Sequence, residues 1–214
     1  MRDFPFFDTE YGIAGLFLKE IPYKSEAYIR FLDVQEGCFG DLLKECVSFC
    51  RMCGAERIFA ADREELSGWP VFASILEMRG TAWVDPGKLK NIFPVTEETV
   101  GKWRQLHNER LRNVDGSATL EQREEKQILS SGGAYFVHDR GELLGLGWVM
   151  DGELKTVAAL KKGAGEAVMH TLMSLMEGSS MTLEVASTNE RAITLYQKLG
   201  FLTTAEKTRW YRVF

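Results

Sequence analysis

The sequence predicts a mixed α/β (α+β) fold, a twisted sheet of parallel and antiparallel strands flanked by helices. Three observations carry that reading. Strand-like and helix-like segments alternate without a break from residue 91 onward, in the order βααβββαβαβ. Two turn signals, Asp139-Arg140-Gly141 and Asp151-Gly152, separate apolar runs too short to be helices. A glycine-opened helix follows the last of those runs. With 214 residues, 45% hydrophobic and 27% charged, the chain carries enough apolar material for a sizeable core; disorder, collagen-like repeats and a disulfide-stapled miniprotein are excluded.

The elements follow in order. Asn91-Ile92-Phe93-Pro94-Val95 predicts a short strand, and Thr96 followed by Glu97 and Glu98 predicts a helix start with acidic residues at its positive end, the helix running over 97–111. A polar loop over 112–118 leads to a second helix over 120–129, which Gly132-Gly133 ends. Three strands are expected over 134–138, 143–149 and 153–159. Gly163-Ala164-Gly165 opens a helix whose Val168, Leu172 and Leu175, with Met169, Met173 and Met176 beside them, form a wide apolar face. A strand over 181–186, a helix over 190–199 and a strand from Phe201 complete the set.

The first part of the chain reads as a worn copy of the last. A strand over 29–34 precedes Gln35-Glu36-Gly37-Cys38-Phe39-Gly40-Asp41, which aligns with Lys161-Lys162-Gly163-Ala164-Gly165-Glu166 if one extra residue is allowed; a helix and a strand over 57–61 follow. The stretch from Phe72 to Gly80 matches the helix that ends in Leu195-Tyr196-Gln197-Lys198-Leu199-Gly200, which makes Leu76 the counterpart of Tyr196. The expectation is a tandem repeat: a degenerate β-α-β half-domain over 1–84 packed on a complete domain over 90–214, with the turn chemistry of Trp83-Val84-Asp85-Pro86-Gly87-Lys88 as the boundary. All four cysteines lie in the first part, and Cys46, Cys50 and Cys53 fall on one face of an expected helix. Cys46 and Cys53 would stand ~10 Å apart along it, too far to share one metal ion, so small core residues are expected and no metal.

Lys and Arg total 26 against 31 Asp and Glu, a formal charge of −5, which argues against nucleic acid or an anionic membrane as partner. No apolar run reaches the ~20 residues that span a bilayer. The expected setting is cytoplasmic, with the oligomeric state left open.

The segment Leu183-Glu184-Val185-Ala186-Ser187-Thr188-Asn189-Glu190-Arg191-Ala192-Ile193-Thr194-Leu195-Tyr196-Gln197-Lys198-Leu199-Gly200-Phe201 resembles the second signature block of the GNAT acyltransferase superfamily. The element order from Asn91 to Phe214 is similar to that family's, and the first part resembles a partial, degenerate relative. The resemblance implies a GNAT-type sheet and an N-acetyltransferase that moves an acetyl group from acetyl-CoA directly to a primary amine, on a small molecule or a peptide N-terminus. It implies that Tyr196 gives a proton to the departing thiolate, that Asn189 meets the cofactor, and that a backbone N–H within Val157 to Ala159 meets the thioester oxygen. Lys162, Gly163, Ala164 and Gly165 correspond to the diphosphate loop, with Leu160 where the family pattern has Gln or Arg. The Leu-Glu-Val context, with a Tyr twelve places on, resembles the ribosomal-protein alanine N-acetyltransferases and implies Glu184 as base, Glu153 being the alternative.

Taken residue by residue, the chemistry is consistent with those roles and with simpler ones. Asn189 stands where a helix N-cap belongs. A buried Tyr is ordinarily a core residue. Two glycines at a helix start are more often a turn than a phosphate cradle, although Lys155, Lys161 and Lys162 surround these, and Glu184 on a strand can simply face solvent. With every cysteine before the boundary, direct transfer rather than a ping-pong route through a cysteine follows, unless the cysteine helix reaches across the domain interface. The competing reading is a non-catalytic acyl-CoA-binding or regulatory module, against which the presence of both Asn189 and Tyr196 counts. Glu36 and Asp41 flank the Gly37–Gly40 loop where an anion would need positive charge, so no second active site is expected there.

Overall fold

A computed structural model describes residues 5–176 and 178–214. The chain divides into two units, one running up to Ser74 and taking in Lys207–Phe214, the other Ile75–Glu206. Residues 75–84, which the sequence reading places in the first half, thus cluster with the second unit.

The first unit opens with a hairpin of β1 (Phe6–Thr9) and β2 (Gly12–Phe17). Its turn is closed by the Tyr11 amide donating to Thr9 Oγ1 at 3.1 Å and by Gly12 at φ +140°, where a Cβ would lie 2.4 Å from the Asp33 carbonyl oxygen. The short α1 (Ile21–Lys24) leads into β3 (Glu26–Val34), antiparallel to β2. Next, α2 (Phe39–Met52) carries the chain across to β4 (Arg57–Ala61), parallel to β3 and paired with it from Glu26↔Arg57 through Arg30↔Ala61. Leu42, Leu43, Cys46 and Cys50 form the buried stripe of α2 and meet Leu16, Ile29 and Ile58 from the strands. Buried Glu26 is kept satisfied by the Tyr28 hydroxyl and the Arg57 guanidinium, both at 2.8 Å.

Cys46 and Cys50 are core residues as expected, but Cys53 lies past the end of α2 and is exposed. Burial pushes both core thiols up to about 12. The folded state therefore holds the neutral thiol more tightly than the unfolded chain, whose thiols titrate near ~8.5. Stability from this source is complete below that value and is lost as pH rises toward 12. Urea midpoints should fall between pH 8 and 11, and Cys46→Ala/Cys50→Ala should flatten that fall; an unchanged pH slope in the double variant would count against it.

The boundary between the units falls inside two long strands, β5 (Val71–Thr81) and the last strand, Leu202–Arg212. The stretch Phe72–Gly80, expected as a helix, is strand. Its second half pairs antiparallel with residues 180–186, from Ile75↔Ala186 to Thr81↔Ser180, so Leu76 stands opposite Val185 and is no helical counterpart of Tyr196.

In the second unit, β6 (Asn91–Pro94) is followed by α3 (Val100–Leu111) and α4 (Glu125–Ser131). Residues 97–99 form a turn rather than the helix expected there: the Thr96 amide donates to Thr99 Oγ1 at 2.9 Å, and the helix begins one residue later. A reciprocal cap between Glu121 and Glu124 precedes α4. β7 (Ala134–Asp139), β8 (Glu142–Met150) and β9 (Glu153–Ala159) form a meander. Its two turns place Arg140–Gly141 and Asp151–Gly152 at positive φ, the pairing that suits the strand twist. Next come α5 (Gly165–Met173), β10 (Ser180–Ala186) and α6 (Glu190–Lys198), after which Leu202–Arg212 is β11. The sheet order in this unit is β5-β10-β9-β8-β7-β6.

Separate buried clusters cover the two faces of this sheet. One joins Val168, Leu172 and Tyr196 from the helices to Leu154, Leu183 and Val185. The other joins Trp103 and Ile128 to Leu146, Trp148 and Ala158. Two glycines seat α5 on β8: a Cβ on Gly147 would lie 2.2 Å from Leu172, and one on Gly145 would lie 2.6 Å from both Val168 and the Ala158 carbonyl oxygen. Among the described residues, no helix is long and apolar enough to cross a membrane.

Candidate active site

The site begins where two parallel strands part. β9 and β10 pair at Thr182↔Glu153 and Leu183↔Leu154, and at no later position of either strand. In the first unit, β3 and β4 stay paired to the end of β4. A bulge lies just past the parting point: Val149 faces Leu154 but Trp148 faces Thr156, so Lys155 is the extra residue. The bulge re-aims the rest of β9. Leu154 and Val157 side chains join the α5 face, while Ala158 joins the cluster under α3.

Alternation then fixes the main chain. The Leu160 amide donates to the Leu144 carbonyl across to β8 at 2.8 Å. Residues one and three places earlier, Ala159 and Val157, therefore turn their N–H and C=O groups away from β8, toward the gap that β10 has left. An extended ligand carrying amides can pair with such an edge in the manner of an added strand.

The loop past β9 closes quickly. The Ala164 amide donates to the Lys161 carbonyl at 3.2 Å, and Gly163 sits at φ +82° with no atom within 4 Å of where its Cβ would be. Gly165 begins α5 in close packing, its Cβ position 3.2 Å from Leu195 and 4.0 Å from the Ala159 Cβ. The first turn of α5 carries Glu166, but Lys88 at 3.3 Å and Lys198 at 3.0 Å offset its charge and hold its carboxyl below the usual carboxylate range, Lys198 first. Lys161 is paired with Glu142 at 2.6 Å and Lys155 with Glu153. Lys162 has no acidic partner among the described residues. One unpaired lysine, Lys162, and a helix N-terminus thus meet at a glycine turn beside the open strand edge.

Comparison with known proteins bears on this arrangement. No family model matches the sequence, and no curated protein matches it. A GCN5-related N-acetyltransferase from Sphaerobacter thermophilus is similar over 94% of this chain and 75% of its own, at 13% identity and a TM-score of 0.54. One from Anabaena variabilis is similar over 88% of this chain and 56% of its own, at 8% identity and a TM-score of 0.60. An acetyltransferase of the GNAT family from Colwellia psychrerythraea is similar over 97% and 84%, at 13% identity and a TM-score of 0.51. The chain has the fold of the GCN5-related N-acetyltransferases.

Within this fold the residues singled out from sequence lie as follows. Tyr196, on α6, is buried in the cluster that contains Leu154 from β9 and Leu183 and Val185 from β10, with its ring 6.2 Å from that of Phe201. Its hydroxyl makes no hydrogen bond to a described residue, and burial pushes the phenol up to about 12. Asn189 is the N-cap of α6, its side chain accepting from the Ala192 amide at 3.3 Å. Glu184 is exposed on β10, between buried Leu183 and Val185, and so lies on the sheet face opposite to Tyr196. Glu153 sits at the paired end of the strands with its carboxylate engaged by Lys155. Between the two candidate bases, position and freedom favour Glu184.

Other residues at the site gave no signal in the sequence. Glu77 of β5 is the direct cross-strand neighbour of Glu184 and accepts from the Thr204 hydroxyl at 2.8 Å. Buried His107 of α3 stacks on Trp103 and meets the Thr156 hydroxyl through Nε2 at 3.3 Å, which fastens α3 along β9. Arg110, one turn further on, donates from Nε to the Ala159 carbonyl at 2.7 Å. Thr188, just after β10, donates to Asp115 at 2.8 Å. Each of these depends on segments far apart in sequence, which no local pattern announces. Among the described residues, no group of three or more His, Cys, Asp or Glu side chains is arranged to hold a metal ion.

Proposed function

We propose that this chain is an N-acetyltransferase, carrying an acetyl group from acetyl-CoA to a primary amine in one direct step. The observation that carries the reading is the parting of β9 and β10 beside a cationic glycine turn. That arrangement offers an extended, amide-bearing, diphosphate-containing thioester an edge to pair with and an anion site at one end. Val157 and Ala159 supply the main-chain groups, and Lys162, Gly163, Ala164 and Gly165 the turn.

The chemistry divides across the sheet. The amine attacks the thioester carbonyl, the C–N bond forms, the C–S bond breaks, and the thiol leaves. Glu184 takes the proton of the attacking ammonium, directly or through a water. Tyr196, on the other face, donates a hydrogen bond to the sulfur as charge develops there. With the phenol near 12 and a thiol near ~8.5, outright transfer of the phenolic proton is uphill, so donation is its role; Glu184 keeps the first proton of the ammonium, and the second, shed by the nitrogen once the C–N bond has formed, neutralises the thiolate. All four cysteines lie before residue 75, outside the second unit, and Cys46 and Cys50 are buried, in keeping with direct transfer.

Acetyl-CoA should bind with one site per chain and raise the melting temperature in a concentration-dependent way. Gly163→Val should weaken that binding about tenfold or more, because a β-branched residue is strained at positive φ and fills the turn. Calorimetry detecting no heat at millimolar acetyl-CoA would refute the reading. Binding without turnover of any amine would instead assign the chain to acyl-CoA-binding modules.

A further inference from the structure

Arg110 differs from the paired cations of the second unit in what holds it, a main-chain carbonyl. Arg104, on the same helix, is paired with Glu125 at 2.7 Å, Lys90 with Asp139 at 2.9 Å, and Lys88 and Lys198 share Glu166. Arg110 meets no carboxylate among the described residues, in a chain with 31 acidic residues. Its Nε donates instead to the Ala159 carbonyl, at the tip of β9 and on the side that β10 has vacated. That single bond fixes the guanidinium in the opening of the parted strands and leaves both terminal nitrogens without an acceptor among the described residues.

The surroundings give this position a use. His107 and Arg110 lie one turn apart on α3, so the helix runs along β9 with Arg110 reaching its end. The loop that follows is tied by Asp115 to Thr188 at the end of β10. α3 and its loop therefore touch the tips of both strands, and a molecule approaching the parted strands from the α3 face passes Arg110. Thr156 and Glu184 lie on that same face. An incoming amine on that face thus has a carboxylate at Glu184 on β10 and the Arg110 guanidinium at the tip of β9.

We propose that Arg110 is a specificity-determining residue for the acceptor, and that the acceptor is an amine that also carries a carboxylate. This rests on the acetyltransferase reading above. A planar guanidinium already held by one nitrogen loses little freedom on closing a bidentate pair with a carboxylate, which is the arrangement its fork suits best. Amines without the carboxylate leave that fork to water.

The test uses the full chain, saturating acetyl-CoA and matched acceptors: lysine against cadaverine, phenylalanine against phenethylamine, and alanine against ethylamine. The wild type should favour the carboxylate-bearing member of at least one pair by roughly 10–100-fold in kcat/KM, the range of a charge-assisted contact. Arg110→Gln should bring that ratio to within about threefold of unity, and Arg110→Lys should leave it between the two. If Arg110 only pins α3 to β9, both members fall together and the ratio stands, which overturns the proposal. A rise in the KM for acetyl-CoA with the ratio unmoved also overturns it, placing the guanidinium on the nucleotide. Equal use of both members of every pair by the wild type does the same. Turnover of no amine at all sinks the acetyltransferase reading, and this inference with it.

Discussion

Tyr196→Phe should lower kcat by roughly 10²–10³, the cost of removing one donor aimed at developing charge. The ring stays in the cluster with Leu183, Val185 and Phe201, so the fold and the packing of α6 are kept. Because the hydroxyl has no partner among the described residues, its removal also leaves no buried group unpaired. The loss should therefore appear in kcat and kcat/KM alike, while the dissociation constant of acetyl-CoA moves little. Single-turnover rates with a saturating acceptor separate this from slow product release. A Tyr196→Phe protein with unaltered chemistry rate would remove the phenol from the mechanism and leave the thiolate to water.

Gly145→Ala carries a large expected cost to stability. The new methyl would stand 2.6 Å from the Ala158 carbonyl oxygen, which belongs to the backbone of β9, and equally close to a Val168 methyl of α5. Neither neighbour is the loose end of a long side chain, so strand or helix must shift. Overpacking of this kind costs about 3 kcal/mol, which for a chain of this size is a fall of about 10 °C in melting temperature. The effect should extend to function, because the displaced strand presents Val157 and Ala159 and the displaced helix begins at the glycine turn. Gly147→Ala, whose nearest neighbour is the tip of Leu172 at 2.2 Å, should cost less, since that side chain can rotate. Equal melting temperatures for Gly145→Ala and the wild type would contradict the seating of α5 described above.

Much of the second unit can be read from its sequence because its turns are chemically explicit. Asp139-Arg140-Gly141 and Asp151-Gly152 supply residues that tolerate positive φ where the meander reverses, and they fix β7, β8 and β9 almost to the residue. β5 lacks such punctuation. Its apolar residues Phe72, Ile75, Leu76 and Met78 suit a helical stripe as well as a strand, and the choice is made by pairing with β10, about a hundred residues on. The hairpin of β1 and β2 went unread for a related reason: its turn rests on Gly12 and a Thr9 side-chain bond rather than on an Asn-Gly or Asp-Gly pair. At the site, Tyr196 and the glycine turn stand out because they sit in contiguous motifs. Arg110, by contrast, looks like one more cation in the last turn of a helix until Ala159, 49 residues away, is seen to hold it.

The division of the chain has a consequence for how the protein is made. Lys207–Phe214 belongs to the first unit, where Trp210 and Tyr211 pair with Ala61 and Ala60 of β4 and Tyr211 enters the same core as Leu16 and Ile58. During synthesis, β4 leaves the ribosome well before its partner β11, with the whole of the second unit's sequence between them. Until then its edge is open to other chains, the hazard of any unpaired strand. A cut near residue 84 would fix that state permanently, and expression of the early half alone should give aggregates where the full chain gives a folded protein. The second unit is thus translated before the first can close: the core of Leu16 and Ile58 waits for Tyr211.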